Sequence, residues 1–346
     1  MVHMDNYRTL IGLKADEIAK ALELKKSFQG RQIQAWISKG VLSFDKMTDL
    51  SLETRESLKD ARIASSTVCY READPASGAV KLGIKLYDGF IIEAVLLSDS
   101  EGSLTACLSS QVGCAMGCKF CRTGTMGFKR NLEAYEIIEQ FLFLRGEGQA
   151  IEHIVFMGMG ECLLNLPSAL EAIAYFHDQL GMSHRRITVS TCGYVPGIKA
   201  LAAAEVPVKL AVSLVDADQS KRASLMPISR RFSLSELKDA LLAYQRVYGR
   251  RITLEYCMLS GINTAADDAA KLQSFSMGLD AVINLIPFNE AAELDFKTPS
   301  SKEIKAFTHE LDRRGLHYTT RVSRGRDIKG ACGQLASKLE EQDDER

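Results

Sequence analysis

Residues 107–132, CLSSQVGCAMGCKFCRTGTMGFKRNL, decide how this chain is read. They follow an apolar, strand-like start (LTA) and hold four of the nine cysteines, Cys107, Cys114, Cys118 and Cys121. Beyond them, strand-like runs alternate with helical patterns. LTACLSS is followed by LEAYEIIEQFLFLRG, HIVFMG by PSALEAIAYFHDQL, and RRITVST by IKALAAA. VKLAVSL is then followed by SLSELKDALLAYQRVY, RITLEYCML by DDAAKLQSFSM, and AVINLIPF by SKEIKAFTHELDRRG, before a last run, LHYTTRVS. Repeated strand–helix units argue for an α/β fold whose parallel sheet curls into a full or partial barrel. Active residues of such folds lie at the C-terminal ends of strands and in the loops after them, which is where the cysteine segment falls.

Toward the N-terminus the rhythm changes. Ala79–Leu97 alternates apolar residues on either side of Asp88-Gly89, the signal of a β-hairpin. DEIAKALEL, RQIQAWISKG and SLETRESLKDARI read as short amphipathic helices. The expected organisation is a helical domain over 1–65, a β-hairpin extension over 66–103, a barrel core over 104–335 and a charged tail over 336–346. The tail reads as frayed.

Composition excludes several classes. With 346 residues, 46% hydrophobic and 25% charged, the chain is an ordinary globular one, not a disordered or coiled-coil one. No apolar run reaches the ~18 residues that span a bilayer. MVHMDNYRTL has no apolar signal core, so a cytoplasmic protein with no membrane partner is expected. The formal net charge of -1 means that any nucleic-acid site must be a local basic patch.

Nine cysteines in a reducing compartment point to metal or redox chemistry, not to a disulfide framework. Cys114, Cys118 and Cys121 on one loop can hold three corners of a metal centre. Their spacing is wider than the paired knuckles of structural zinc, and no second pair follows. Two readings stay open at this point. One is a [4Fe–4S] cluster with one iron left for a chelating small molecule; the other is a four-cysteine structural site completed by Cys107.

The same residues carry a resemblance. CxxxCxxC with its glycine loop resembles the radical S-adenosylmethionine (SAM) superfamily. Within it, residues 107–132 resemble the RlmN/Cfr family of RNA adenosine methyltransferases. So do FMGMGE, TVSTCG, RASLMPI, NLIPFN and GRDIKGACGQL, in the family's order, and RQIQAWISKG and FDKMTDLS at the front. The resemblance implies a partial (β/α)6-type radical SAM barrel behind a small helical RNA-docking domain. It implies methylation of carbon 2 of an adenosine in 23S rRNA, with tRNA as a further substrate. Carbon 8, as in the Cfr branch, is the alternative within the class. A non-catalytic Fe–S or zinc protein that binds RNA or senses redox state is the alternative outside it.

Residue by residue, the resemblance implies that Cys114, Cys118 and Cys121 hold a [4Fe–4S] cluster. Two SAM molecules would be used per turnover, with Gly160, Glu161, Ser190, Ser213, Leu214, Val215 and Asn289 in contact with SAM. Cys332 would carry the methyl group and form a transient covalent adduct with RNA. Cys107 would release it through a disulfide with Cys332, and Glu93 would accept the ring proton. An external electron donor such as flavodoxin and a monomeric state are implied as well. The chain departs from the family pattern where Val215 replaces the usual histidine, where Cys162 and Glu290 replace prolines, and at Lys329-Gly330. Lys119, Arg122, Lys129 and Arg130, with Arg321, Arg324, Arg326 and Lys329, are expected to converge on phosphates at the cavity mouth.

Overall fold

The computed structural model describes residues 9–147, 150–321, 325 and 327–335. Arg324, Arg326 and the tail lie outside the described residues. Helices α1 (Ala15–Ala21), α2 (Phe28–Ser38) and α3 (Leu52–Ser57) form the N-terminal module. α1 and α2 touch closely because Gly30 has no side chain: a Cβ there would lie 2.0 Å from the Ala15 carbonyl oxygen. α3 is capped by Ser51 and ends at Ser57, short of the Ile63 end expected from its pattern. Leu58 and Ile63 are buried instead in irregular chain, with the Ile63 carbonyl accepting from the Leu10 amide.

Strands β1 (Thr67–Asp74), β2 (Ala79–Lys85) and β3 (Ile91–Ser98) are antiparallel neighbours, and β3 also runs antiparallel to β4 (Leu104–Cys107). The expected hairpin is therefore three-stranded and part of the main sheet. β1 escaped notice in the sequence because it is an edge strand, mostly exposed, with no apolar alternation to betray it.

After β4 come a small ribbon of β5 (Gln111–Gly113) and β6 (Phe128–Asn131), with the one-turn helix α4 (Arg122–Thr125) between them. The regular repeat follows. Helix α5 (Ala134–Arg145) leads to β7 (His153–Phe156), α6 (Leu166–Asp178) to β8 (Ile187–Thr191), and α7 (Val195–Ala203) to β9 (Lys209–Ser213). Helices α8 (Gln219–Leu225) and α9 (Leu234–Tyr248) lead to β10 (Ile252–Met258). α10 (Ala266–Ser276) leads to β11 (Ala281–Pro287), and α11 (Ser301–Arg313) to β12 (Tyr318–Thr320).

Among the described residues the main sheet has ten strands in the order β1-β2-β3-β4-β7-β8-β9-β10-β11-β12, parallel from β4 onward. Among the described residues β12 and β1 are not paired, so the barrel is partial. The chain after β12 reaches back across the opening, where the Gly325 amide donates to Ser77 Oγ (3.3 Å). That return, not a closing strand, delivers Cys332 to the interior. The helical module is tied in through α5: the buried Glu139 carboxylate accepts from the Ser65 and Ser66 amides (2.7 and 3.0 Å). No described helix is long and apolar enough to cross a membrane.

Candidate active site

The cysteine loop is fixed at both ends by backbone. At its start, Gly113 pairs with Phe128 across the ribbon, and the Cys114 amide donates to the Gly127 carbonyl (2.8 Å). At its far end, the Arg122 amide donates to the Gly333 carbonyl (2.8 Å) and Thr123 Oγ1 to the Leu335 carbonyl (2.6 Å). Those bonds bring Cys332 beside the loop. Asn289, just past β11, adds a bond from its side-chain amide to the Cys332 carbonyl (3.2 Å).

A cavity of about 1000 Å³ opens at the C-terminal ends of the parallel strands. Its wall holds Cys114, Cys118, Cys121 and Cys332, and also Gly160, Glu161, Ser190, Ser213, Val215 and Asn289. A much smaller, narrow cavity adjoins it, lined by Cys107, Leu97 and Arg321. Cys332, Asn289, Met157 and Ile286 line both. Cys332 thus stands between the three loop thiols on one side and Cys107 on the other. All nine cysteines are free thiols.

Burial pushes the Cys114 thiol up to about 12 and raises Cys118 and Cys121, the charges of neighbouring thiols raising each further. Three thiolates, one buried and two half-buried, in a mainly apolar wall are costly unless a cationic group neutralises them. Among the described residues, no three His, Cys, Asp or Glu side chains converge closely enough to hold one metal ion. An all-sulfur donor set spread around a roomy cavity fits an iron–sulfur cluster, each iron of which takes its own thiolate. Cys107 sits apart on β4, facing Cys332, and does not complete a four-thiol set with the loop.

The cavity wall around Gly160 is shaped by backbone. Gly160 has φ 105, and a Cβ there would lie 2.6 Å from the Gln111 side chain, so glycine alone fits. Glu161 is buried, and burial raises its carboxyl. The Cys192 amide (2.7 Å) and Leu163 amide (3.2 Å) oppose that rise by donating to it. Val215 has φ 62, rare for a β-branched residue, and is the middle of a three-residue turn closed by Asp216 N–H to Leu214 O (2.7 Å). Asn263 enforces that turn, donating from Nδ2 to the Val215 carbonyl (2.7 Å). The Leu214 side chain is in the core and is the one expected SAM contact missing from the cavity wall; only its backbone is near.

Glu93 lies in neither cavity wall. It is fully buried, accepts from the Tyr70 hydroxyl (2.5 Å) and pairs with Lys81 Nζ (3.0 Å), which also reaches Glu72 (3.0 Å). The register Val95↔Cys107 and the two-residue period put Glu93, Val95 and Leu97 on the face that carries Cys107. Glu93 is at the end of that face nearer the strand C-termini, its carbonyl accepting from Ser109 Oγ (2.6 Å).

The basic residues divide differently from expectation. Lys119, Lys129 and Lys329 are exposed. Arg122 is buried and bridges to Glu293 (3.4 Å), while Arg130 bridges to Asp88 (2.6 Å) and Glu136 (2.7 Å). Arg321 turns inward to the smaller cavity. Its guanidinium is held charged first by the Cys332 sulfur beside it, against burial, with Glu255, Cys107 and a hydrogen bond to Cys332 adding. Glu255, which accepts from Asn284 Nδ2 (2.7 Å), lines the large cavity and was missed. Its signal was a lone glutamate in the apolar strand RITLEYCM.

Comparison with known proteins adds three findings. The Radical SAM superfamily model matches residues 108–272, and the model of a "Ribosomal RNA large subunit methyltransferase N-terminal domain" matches residues 10–63. Two relatives, each titled "Probable dual-specificity RNA methyltransferase RlmN", come from Treponema denticola and Treponema pallidum. The first is 46% identical over 96% of this chain and 96% of its own length; the second is 44% identical over 94% and 96%. The crystal structure of a radical SAM methyltransferase from Sphaerobacter thermophilus superposes with a TM-score of 0.86 at 36% identity, covering 95% of this chain and 98% of that one.

Proposed function

We propose that this chain, which belongs to the RlmN/Cfr family of radical SAM RNA methyltransferases, methylates carbon 2 of adenosine in 23S rRNA and tRNA, with Cys332 as the methyl carrier. The observation that carries this reading is the position of Cys332 in the walls of both cavities. A carrier must meet a methyl donor, then the base, and then the thiol that frees the product.

A [4Fe–4S] cluster and SAM supply a 5′-deoxyadenosyl radical, able to take hydrogen from an unactivated methyl group, and two SAM are consumed per product. Cys114, Cys118 and Cys121 would hold the cluster. Gly160 would let the backbone approach the methionine part of SAM, and Glu161 would meet its ammonium. Ser190, Ser213, Val215 and Asn289 line the remainder, with the Leu214 backbone behind them. Cys332 Sγ, as a thiolate, would displace the methyl group of one SAM, which leaves as its thioether. Loss of a hydrogen atom from that methyl to the deoxyadenosyl radical would leave a methylene that bonds to the ring carbon. The ring radical so formed would give up one electron, back to the oxidised cluster, and one proton. Glu93 receives the ring proton, with Lys81 and Tyr70 orienting its carboxylate. Cys107 Sγ, as a thiolate, would attack Cys332 Sγ. The Cys332 sulfur–carbon bond breaks, the carbon keeps the electron pair and takes up a proton to become the new methyl group of the RNA, and the disulfide is left for an external electron donor to reduce.

Nucleoside analysis of RNA methylated by the enzyme tests the ring position. We expect 2-methyladenosine; 8-methyladenosine would move the chain to the carbon-8 branch. The carrier step makes a second demand, because Cys332 must be a thiolate to displace methyl from SAM. Arg321→Leu removes the half-buried cation hydrogen-bonded to it, and charge-assisted bonds of this kind contribute about 1.5–3 kcal/mol. Methylation of the Cys332 peptide, followed by mass over time, should slow about tenfold or more. An unchanged rate would remove Arg321 from the mechanism.

A further inference from the structure

Arg222 opens the motif RASLMPI and lies on α8, where it is only 1% exposed. Its Nε donates to the Leu214 carbonyl (2.9 Å), and its Nη2 to the carbonyls of Cys192 (2.6 Å) and Ser213 (3.2 Å). Its Nη1 donates to Ser229 Oγ, in the turn after α8. The guanidinium therefore ties together the C-terminal ends of β8 and β9. Gly193 makes room for it: φ there is 96, and a Cβ would lie 3.0 Å from Nη2. The glycine of TVSTCG and the arginine of RASLMPI form one device.

Both strand ends carry the cavity wall. Cys192 and Ser213 line the large cavity, and the Cys192 amide donates to the Glu161 carboxylate (2.7 Å). The backbone of Cys192 is thus held by Glu161 at its amide and by Arg222 at its carbonyl. α8 also reaches the cysteine loop. The Lys119 amide donates to the Leu225 carbonyl (3.0 Å), and Leu225 and Met226 pack with Cys118 and Cys192.

The four acceptors of Arg222 are all neutral. A buried cation bonded to neutral groups is costly unless negative charge stands nearby. Burial lowers the pKa of this guanidinium, opposed by the sulfurs of Cys192 and Cys118 and by Asp216. Thiolates that hold an iron–sulfur cluster are negative charge of the required kind, and the net charge around a cluster helps to set its reduction potential.

We propose that Arg222 is a positioning residue of the site: its planar fork sets the cavity-facing ends of β8 and β9, and its buried charge stands behind the cysteine loop and eases reduction of the cluster held there. The proposal rests on the assignment of the cluster to Cys114, Cys118 and Cys121 and adds the residue that tunes it.

The test compares Arg222→Lys and Arg222→Gln with the unaltered, cluster-loaded enzyme, by redox titration of the cluster without SAM and by equilibrium binding of SAM. Lysine keeps the charge but not the fork. Arg222→Lys should therefore hold the potential and lose SAM affinity about tenfold. Arg222→Gln loses the charge as well. Its cluster should be about tenfold harder to reduce, a fall of about 59 mV for one electron, with SAM affinity reduced at least as much as in Arg222→Lys. SAM binding by Arg222→Lys within twofold of normal would overturn the positioning role. A potential in Arg222→Lys lowered by the same tenfold, or one in Arg222→Gln left unchanged, would overturn the role of the charge. An unaltered protein that takes up no [4Fe–4S] cluster would sink the cluster assignment and Arg222 with it, whereas the other results sink Arg222 alone.

Discussion

Cys332→Ala should abolish methyl transfer to RNA, by about 10⁴-fold or more, while the protein still assembles its cluster and binds SAM. The expected size follows from removing an atom that forms a bond in the reaction, a loss that neighbouring residues do not make good. The substitution is structurally mild. The contacts that seat this loop run through backbone: Asn289 Nδ2 to the Cys332 carbonyl, Arg122 N–H to the Gly333 carbonyl and Thr123 Oγ1 to the Leu335 carbonyl. Alanine keeps all three. Cluster absorbance and SAM binding should therefore match the unaltered protein, and labelled methyl transfer to RNA should vanish. RNA methylation within tenfold of normal would mean that the methyl group travels without Cys332, and the carrier would be lost with it.

How much of this was legible in the sequence depends on what each residue answers to. The cysteine loop stood out because its spacing is one that metal ligation would impose, and Gly160 of FMGMGE because the close approach of Gln111 admits no side chain there. The repeated units were legible because buried parallel strands and amphipathic helices have different periods. Cys332 and Cys107 were reachable only by resemblance, since their meeting depends on a chain return after β12 that no local pattern announces. The basic clusters misled for a related reason. The acids that claim Arg122, Arg130 and Arg321 are Glu293, Asp88, Glu136 and Glu255. Most are far along the chain, so a run of positive charge said nothing of where it points. Glu93 had the opposite fault: its apolar neighbours suggested a lone desolvated carboxyl, whereas Lys81 and Tyr70 meet it from β2 and β1. Even the left-handed turn at Val215 was hidden, because valine is a poor choice for it and the reason, Asn263, comes from the β10–α10 loop.

Cys107→Ala should leave RNA attached to protein. Cys107 is the thiol that faces Cys332 across the smaller cavity, on β4, where pairing with Val95 and the neighbouring parallel strand holds its backbone in register. If its sulfur is what breaks the link between Cys332 and the base, the alanine variant should stop after a single round. A band of protein plus RNA should then persist on a denaturing gel, in near one-to-one yield with active sites. pH supplies an independent check. Burial pushes the Cys107 thiol up to about 12, with the neighbouring Cys332 sulfur adding to the rise and Arg321 opposing it. The reactive thiolate is therefore a small fraction near neutral pH and grows about tenfold per pH unit below that value. Release from the unaltered enzyme should quicken as pH is raised, whereas the adduct of Cys107→Ala should persist at every pH at which the protein stays folded. Turnover by Cys107→Ala with no covalent band would show that the product leaves by another route, and the disulfide between Cys107 and Cys332 would drop out of the mechanism while the methyl carrier remained.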